Sequence, residues 1–197
     1  EPLANLDFKL REELREQLPV LFAGRGAVVV YATSEPEEAL LLGGETALLA
    51  DGRVTQFGPT SELYHRPKDF TSANVFSDPP INAAQITKTG ATAQLNLTTS
   101  WELSGAAAAL QDGVYRVAVR PNHVAPVKTP AAYVPLSGTV LVSELSGSDS
   151  SAHFALGDNV WVSLAHGVHS YEIGVTHHFY LDPSKCFYFA ADGQRVA

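Results

Sequence analysis

A chain of 197 residues, 45% apolar and 17% charged, has the balance of a globular protein long enough for one large domain or two small ones. Its net charge of −8 argues against a nucleic-acid partner, which requires a basic patch. Its longest apolar runs, such as residues 27–32, are far too short to span a bilayer, and the lone Cys186 cannot close an internal disulfide, which fits a reducing compartment. Glu1 and Asp7 stand where a signal peptide needs a basic and then an apolar stretch, so no such leader is read. A chain that opens on Glu rather than Met is expected to be a piece of a longer protein.

Asp7 is a plausible N-cap, and Leu10, Leu14, Leu18 and Leu21 follow at helical spacing. Pro19 is expected to kink or end that helix, with Gly24 and Gly26 finishing it. Residues 27–32 read as a strand covered on both faces, the pattern of a parallel sheet. Ser34-Glu35-Pro36-Glu37 is a capping-box pattern, with Ser34 as the cap of a short helix reaching about Leu42. Residues 46–50 form the next expected strand, Asp51-Gly52 a hairpin turn, and 53–57 the returning strand, with a short helix at 61–65. Strand and helix alternate here, which points to α/β architecture.

The composition shifts near Ser77-Asp78-Pro79-Pro80, where two prolines stop regular structure. Residues 1–75 carry 12 acids and 7 bases and are helical in pattern, whereas the remainder is rich in Ala, Val, Thr, Ser and Gly. Strands are expected at 83–87, 93–98, 113–119, 137–145, 151–156, 159–164, 172–180 and 186–189, separated by turn signals such as Gly147-Ser148 and Gly157-Asp158. Ala106–Ala109 reads as a turn of helix or a loop. Short strands in this rhythm suggest a small barrel or sandwich.

The run Glu1-Pro2-Leu3-Ala4-Asn5-Leu6-Asp7 resembles the end of the Walker B motif and the D-loop of ABC importer ATPases. Later segments resemble the same family in the same order. They are Lys9-Leu10-Arg11, Val30-Tyr31-Ala32-Thr33, Glu38-Ala39, Asp51-Gly52-Arg53-Val54, Gly58-Pro59-Thr60, Leu63-Tyr64 and Arg66-Pro67. Pro79-Pro80-Ile81-Asn82, Arg120-Pro121-Asn122-His123-Val124 and the ending 187–196 are similar to the accessory domain of maltose-type and glycerol-phosphate-type importers.

That resemblance implies an α/β fragment of a P-loop ABC ATPase domain at 1–75, followed by an all-β OB-like (TOBE) barrel at 76–197. It implies Glu1 as the catalytic carboxylate that positions water beside Mg²⁺ and the γ-phosphate, and Ala4, Asn5, Leu6 and Asp7 as D-loop residues at a dimer interface. The family's switch histidine falls at Ser34, and a hydroxyl is shorter and carries no positive charge. Ser34 is therefore expected to cap a helix and to leave a slow or degenerate nucleotide site, paired with a second, intact ATPase subunit. ATP and Mg²⁺ are implied for the complete subunit. No phosphate loop, signature motif or Walker B Asp is present, so the 197 residues alone are expected neither to bind nor to hydrolyse ATP.

Membrane permease subunits, a possible regulatory protein on the accessory domain and a peripheral place at the cytoplasmic face of a bacterial inner membrane complete the expectation, with no nucleic acid. A stand-alone small-ligand or oxyanion-binding β module, or an interaction protein with a vestigial ATPase half, are the rivals. His166, His169, His177, His178 and Cys186 lie close in sequence but match no zinc spacing, so surface or half-buried histidines are expected rather than a metal site. Arg120-Pro121 with His123 reads as a structural turn, Trp101 and Trp161 as core or interface anchors, and no nucleophile elbow is present.

Overall fold

The computed structural model describes residues 3, 6–23, 26 and 28–197 and divides the chain into two compact units, one through Phe76 and one from Ser77.

In the first unit, helix α1 (Phe8–Phe22) opens on Asp7, whose carboxylate accepts the Leu10 amide at 3.0 Å. Pro19 does not end it. The helix runs one more turn, and the Ala23 amide bonds back to the Pro19 carbonyl at 3.1 Å. Proline lacks an N–H, but its carbonyl still accepts from the following turn. Gly24, expected to help end the helix, lies outside the described residues, as does Ala27.

The strand expected at 27–32 is not formed among the described residues. Residues 28–33 join no strand ladder among the described residues, and Val28 and Val30 are 95% and 92% exposed. A strand is defined by a partner's ladder, which an apolar run does not supply by itself. Helix α2 (Pro36–Leu42) follows, with Glu35 rather than Ser34 at its N-cap and no side-chain capping bond. Pro36 at the first helical position takes the place of one donor that a cap would have had to satisfy.

Strands β1 (Glu45–Ala50) and β2 (Arg53–Pro59) form an antiparallel hairpin. Its turn has φ 50° at Asp51 and 71° at Gly52, the two positive values that a two-residue turn of primed type needs. Helices α3 (Thr60–His65) and α4 (Phe70–Val75) complete the unit, α4 capped by Asp69. Sequence reading missed α4, which is short and lacks a clear apolar period. Leu48, Leu63 and Phe76 form the small core. Among the described residues this unit contains helices and one antiparallel pair, not the parallel pairing expected of it.

The second unit is all-β apart from one turn of α-helix, α5 (Gly105–Ala108), and two 3₁₀ turns, Pro121–His123 and Pro183–Lys185. One sheet joins β3 (Asn82–Thr89), β4 (Thr92–Gln94), β5 (Ser100–Glu102), β6 (Gly113–Val119) and β12 (Phe187–Phe189), in the order β12-β6-β3-β4-β5. The other joins β7 (Val124–Ala125), β8 (Val134–Ser146), β9 (Asp149–Leu156), β10 (Asn159–His166) and β11 (Thr176–Leu181), in the order β10-β9-β8-β11-β7. All pairs are antiparallel, and β9 alternates buried and half-buried residues along its length, as a two-residue period requires.

The inward faces of both sheets share one core around Trp101, Phe154, Trp161 and Phe179, so both tryptophans are core residues. Asn82 clips the sheets together. Its side-chain amide donates to the Val162 carbonyl at 2.7 Å and its oxygen accepts the Val162 amide at 2.6 Å. Gly138 on β8 leaves room for the facing strand, since a Cβ there would meet the Phe154 ring and come within 2.5 Å of the Ala155 carbonyl.

Candidate functional site

The first unit's polar side chains converge on one buried carboxylate. Glu38 sits in the first turn of α2 and is 4% exposed. One of its oxygens accepts the Tyr31 hydroxyl at 3.0 Å and the Thr33 hydroxyl at 2.5 Å. The other accepts Nε of Arg15, from the middle of α1, at 3.4 Å. Tyr31 and Thr33 are two apart on an extended segment, so both face the carboxylate, while Ala32 and Ser34 face outward and are exposed. The Thr33 oxygen also accepts the Glu35 amide at 2.9 Å, a local turn that encloses Ser34.

Arg15 lies within 4 Å of four carboxylates: Glu12 at 2.8, Glu38 at 3.4, Glu37 at 3.7 and Glu35 at 3.9 Å. Glu12 and Glu35 are about half exposed and Glu37 largely so, and all three contribute little beyond the local field. Glu38 is the partner that requires Arg15, because an unpaired buried carboxylate is costly. Burial opposes its charge, yet the bonds from Thr33, Tyr31 and Arg15, with Arg15's charge, hold Glu38 below the usual carboxylate range. Burial, then the bond to Glu38, pushes Tyr31 up to about 12. Glu38 is thus ionised and bonded on both oxygens. It holds its neighbours in place and has no proton to give.

Among the residues singled out from sequence, Ser34 is exposed and outside this hub, one residue from Thr33. Asp7 caps α1 and Leu6 is half-buried, its amide bonded to the Leu3 carbonyl at 3.2 Å. Glu1, Ala4 and Asn5 lie outside the described residues. The hub of Arg15, Tyr31, Thr33 and Glu38 was missed. Its one sequence signal was the alternation of hydroxyls at 31 and 33 after an apolar run, followed by the helix-start carboxylates Glu35, Glu37 and Glu38.

The second unit holds a cavity of about 470 Å³, lined by Glu102, Ser104, Tyr133, Asp182, Ser184 and Cys186 among others. Its lining includes no Lys, Arg or His. The Asp182 carboxylate already accepts the Ser184 amide at 3.0 Å and its hydroxyl at 2.6 Å. Burial, with the nearby Asp182 carboxylate, pushes the Cys186 thiol up, toward the protonated form.

The histidines disperse into separate contacts: His166 with Asp149 at 3.2 Å, His178 with Ser137 at 2.9 Å, and His177 against the Tyr171 ring. Among the described residues no three His, Cys, Asp or Glu side chains converge as a metal set. Arg120 leads into a 3₁₀ turn at Pro121–His123 and lies over the Phe187 ring at 5.2 Å. Among the described residues no helix is long and apolar enough to cross a membrane.

No family model matches the chain. Curated proteins similar to it include importer ATP-binding subunits. The maltose/maltodextrin import ATP-binding protein MalK of Salmonella typhimurium is 32% identical over 98% of this chain and 54% of its own length. The sn-glycerol-3-phosphate import ATP-binding protein UgpC 3 of Agrobacterium fabrum is 32% identical over 82% of this chain and 45% of its own length. The xylose/arabinose import ATP-binding protein XacK of Haloferax volcanii is 31% identical over 80% of this chain and 42% of its own length. The chain spans about half the length of the curated relatives it matches. Among solved structures, the cytoplasmic molybdate-binding protein ModG with molybdate bound matches 54% of this chain and 94% of its own. At 16% identity and a TM-score of 0.37, that likeness bears on neither fold nor ligand here. The homologues of this chain are ATP-binding subunits of ABC importers.

Proposed function

We propose that the chain is the C-terminal part of the ATP-hydrolysing subunit of an ABC importer for a sugar or a glycerol phosphate. The observation that carries this reading is 32% identity to an importer ATP-binding protein along 98% of the chain. In this reading Glu1 positions the attacking water, and Ala4, Asn5, Leu6 and Asp7 run along the interface with a second ATPase subunit. Ser34 occupies the position that faces the γ-phosphate. A serine hydroxyl there can donate one hydrogen bond to a phosphate oxygen but cannot carry the charge that an imidazolium brings. Such a site turns over slowly and is best served by an intact, non-identical partner subunit. The second unit, read as an OB-like TOBE accessory domain, joins its counterpart in the dimer and offers a place for a regulatory protein. The assembly then sits against permease subunits at the cytoplasmic face of a bacterial inner membrane, with ATP and Mg²⁺ bound by the complete subunit only.

Exposed apolar side chains in the first unit support this reading. Val28, Val30, Leu49 and Phe57 are 95%, 92%, 64% and 63% exposed, the kind of surface that further protein covers. The test is ATP turnover by the complete subunit assembled with its permease. Glu1→Gln is expected to lower kcat by about a hundredfold or more, the range of general-base catalysis, and Ser34→His to raise it. Turnover indifferent to Glu1→Gln overturns the reading.

The rival, a stand-alone binding module, draws support from the cavity in the second unit, but not as an oxyanion receptor. A lining with Glu102 and Asp182 and no cationic side chain repels an anion. A calorimetric titration of the whole chain with inorganic oxyanions is expected to give no heat of binding.

A further inference from the structure

The Glu38 hub joins two elements that are far apart in sequence, and its geometry selects one of its neighbours for control. On one side stands Arg15, two turns into α1 from the cap at Asp7, about 12 Å along the axis at 1.5 Å per residue. On the other stand Tyr31 and Thr33, both bound to the same carboxylate oxygen. Thr33 is fixed twice, donating to Glu38 and accepting the Glu35 amide. The backbone on both sides of Ser34 is therefore held while its side chain stays in solvent. A buried ion pair bonded on both carboxylate oxygens is a poor source of net stability but an effective means of fixing one arrangement.

We propose that Glu38 is a positioning residue for position 34, and that the Arg15–Glu38 pair ties that position to helix α1. The functional meaning rests on the reading of Ser34 as the residue that faces the γ-phosphate. The tie itself does not. A displacement of α1, the helix that continues from the D-loop positions, is passed through Arg15 to Glu38 and through the Thr33 hydroxyl to the turn that carries Ser34. The predicted consequence in the complete subunit is a kcat effect without a matching loss of ATP affinity, since Glu38 acts on the placement of Ser34 through Thr33.

The test uses the 197-residue chain without nucleotide and follows backbone amide exchange by NMR. In Glu38→Gln the carboxamide that replaces the carboxylate cannot accept two hydroxyls and an arginine as the carboxylate does. Exchange at the Glu35 amide is expected to rise about tenfold, while the amides of the β1–β2 hairpin keep their wild-type rates. Arg15→Lys, which keeps the charge but places it elsewhere, is expected to give a smaller rise at the same amide. Unchanged exchange at Glu35 in both variants overturns the proposal, and so does a uniform rise across α1, α2 and the hairpin, which marks a merely structural pair. If Glu38→Gln fails to fold, Arg15→Lys decides alone by the same two criteria.

In the complete subunit, Glu38→Gln is expected to lower kcat about tenfold with KM for ATP unchanged. A turnover insensitive to Glu1→Gln removes the ATPase reading but leaves the exchange result at Glu35 standing, so the two failures are told apart.

Discussion

Tyr31 is the residue whose ionisation reports most directly on the hub. A half-buried phenol beside a carboxylate resists ionisation for two reasons: desolvation of the phenolate, and the bond to and charge of Glu38, to which the neutral hydroxyl donates. Its folded value, pushed up to about 12, lies above the ordinary value of 10. A raised folded value means that the associated stabilisation is complete below pH 10 and is lost as pH climbs through about 12. Glu38 works in the opposite sense. Its value is depressed, so its contribution is complete above the ordinary carboxylate range and is lost as acid protonates it in the folded state. A spectrophotometric titration, taken as the difference between wild type and Tyr31→Phe, is expected to show one tyrosine ionising near pH 12. In Glu38→Gln that ionisation is expected to move down toward pH 10, the ordinary value for a tyrosine. A Tyr31 that ionises near 10 in the wild-type chain contradicts the buried bond.

At the scale of elements, the contact that matters most in the second unit is the paired hydrogen bond from Asn82 on β3 to Val162 on β10, in the opposite sheet. The Trp161 indole N–H adds a bond at 3.2 Å to the Ala83 carbonyl next door. These bonds lie between sheets, where no ladder can satisfy the backbone, so removing the amide leaves a buried N–H and a buried C=O of Val162 without their partner. Asn82→Ala is expected to cost about 2–4 kcal/mol, from two such groups at roughly 1–3 kcal/mol each with some relaxation, and to lower the melting temperature of this unit in calorimetry. Sequence alone did not say what Asn82, at the end of Pro79-Pro80-Ile81-Asn82, holds. Strands with clear period and turn chemistry were legible: 113–119 and the hairpins at Gly147-Ser148 and Gly157-Asp158 all form near their expected bounds. The two-residue β7 and three-residue β5 escaped, because so few residues carry no period. The hub at Glu38 was hidden for another reason. Arg15 and Glu38 are 23 residues apart, and no local pattern states that they meet.

At the scale of the whole molecule, the two units differ in what stabilises them. Among the described residues, the second unit's core draws large side chains from both sheets, Trp161, Phe154 and Phe179 from one and Trp101 and Ile86 from the other. The first unit buries Leu48, Leu63 and Phe76 and leaves Leu49, Val54 and Phe57 largely exposed. Apolar area removed from water is the main favourable term in folding, so the second unit has the means to fold alone and the first has a narrow margin. The chain supplies its own reporters for this difference. Both of its tryptophans lie in the second unit's core, so indole fluorescence follows that unit only. The helices α1 to α4 lie in the first unit, so helical circular dichroism follows mainly the other. On heating, the dichroism is expected to fall first and the fluorescence later, a non-coincidence that excludes one cooperative transition. Residues 77–197 produced alone are expected to melt where the fluorescence of the full chain does. Coincident curves in the full chain, or an unfolded 77–197 fragment, show instead that the second unit needs the first, and a core of this size would then be insufficient for a reason that burial does not capture.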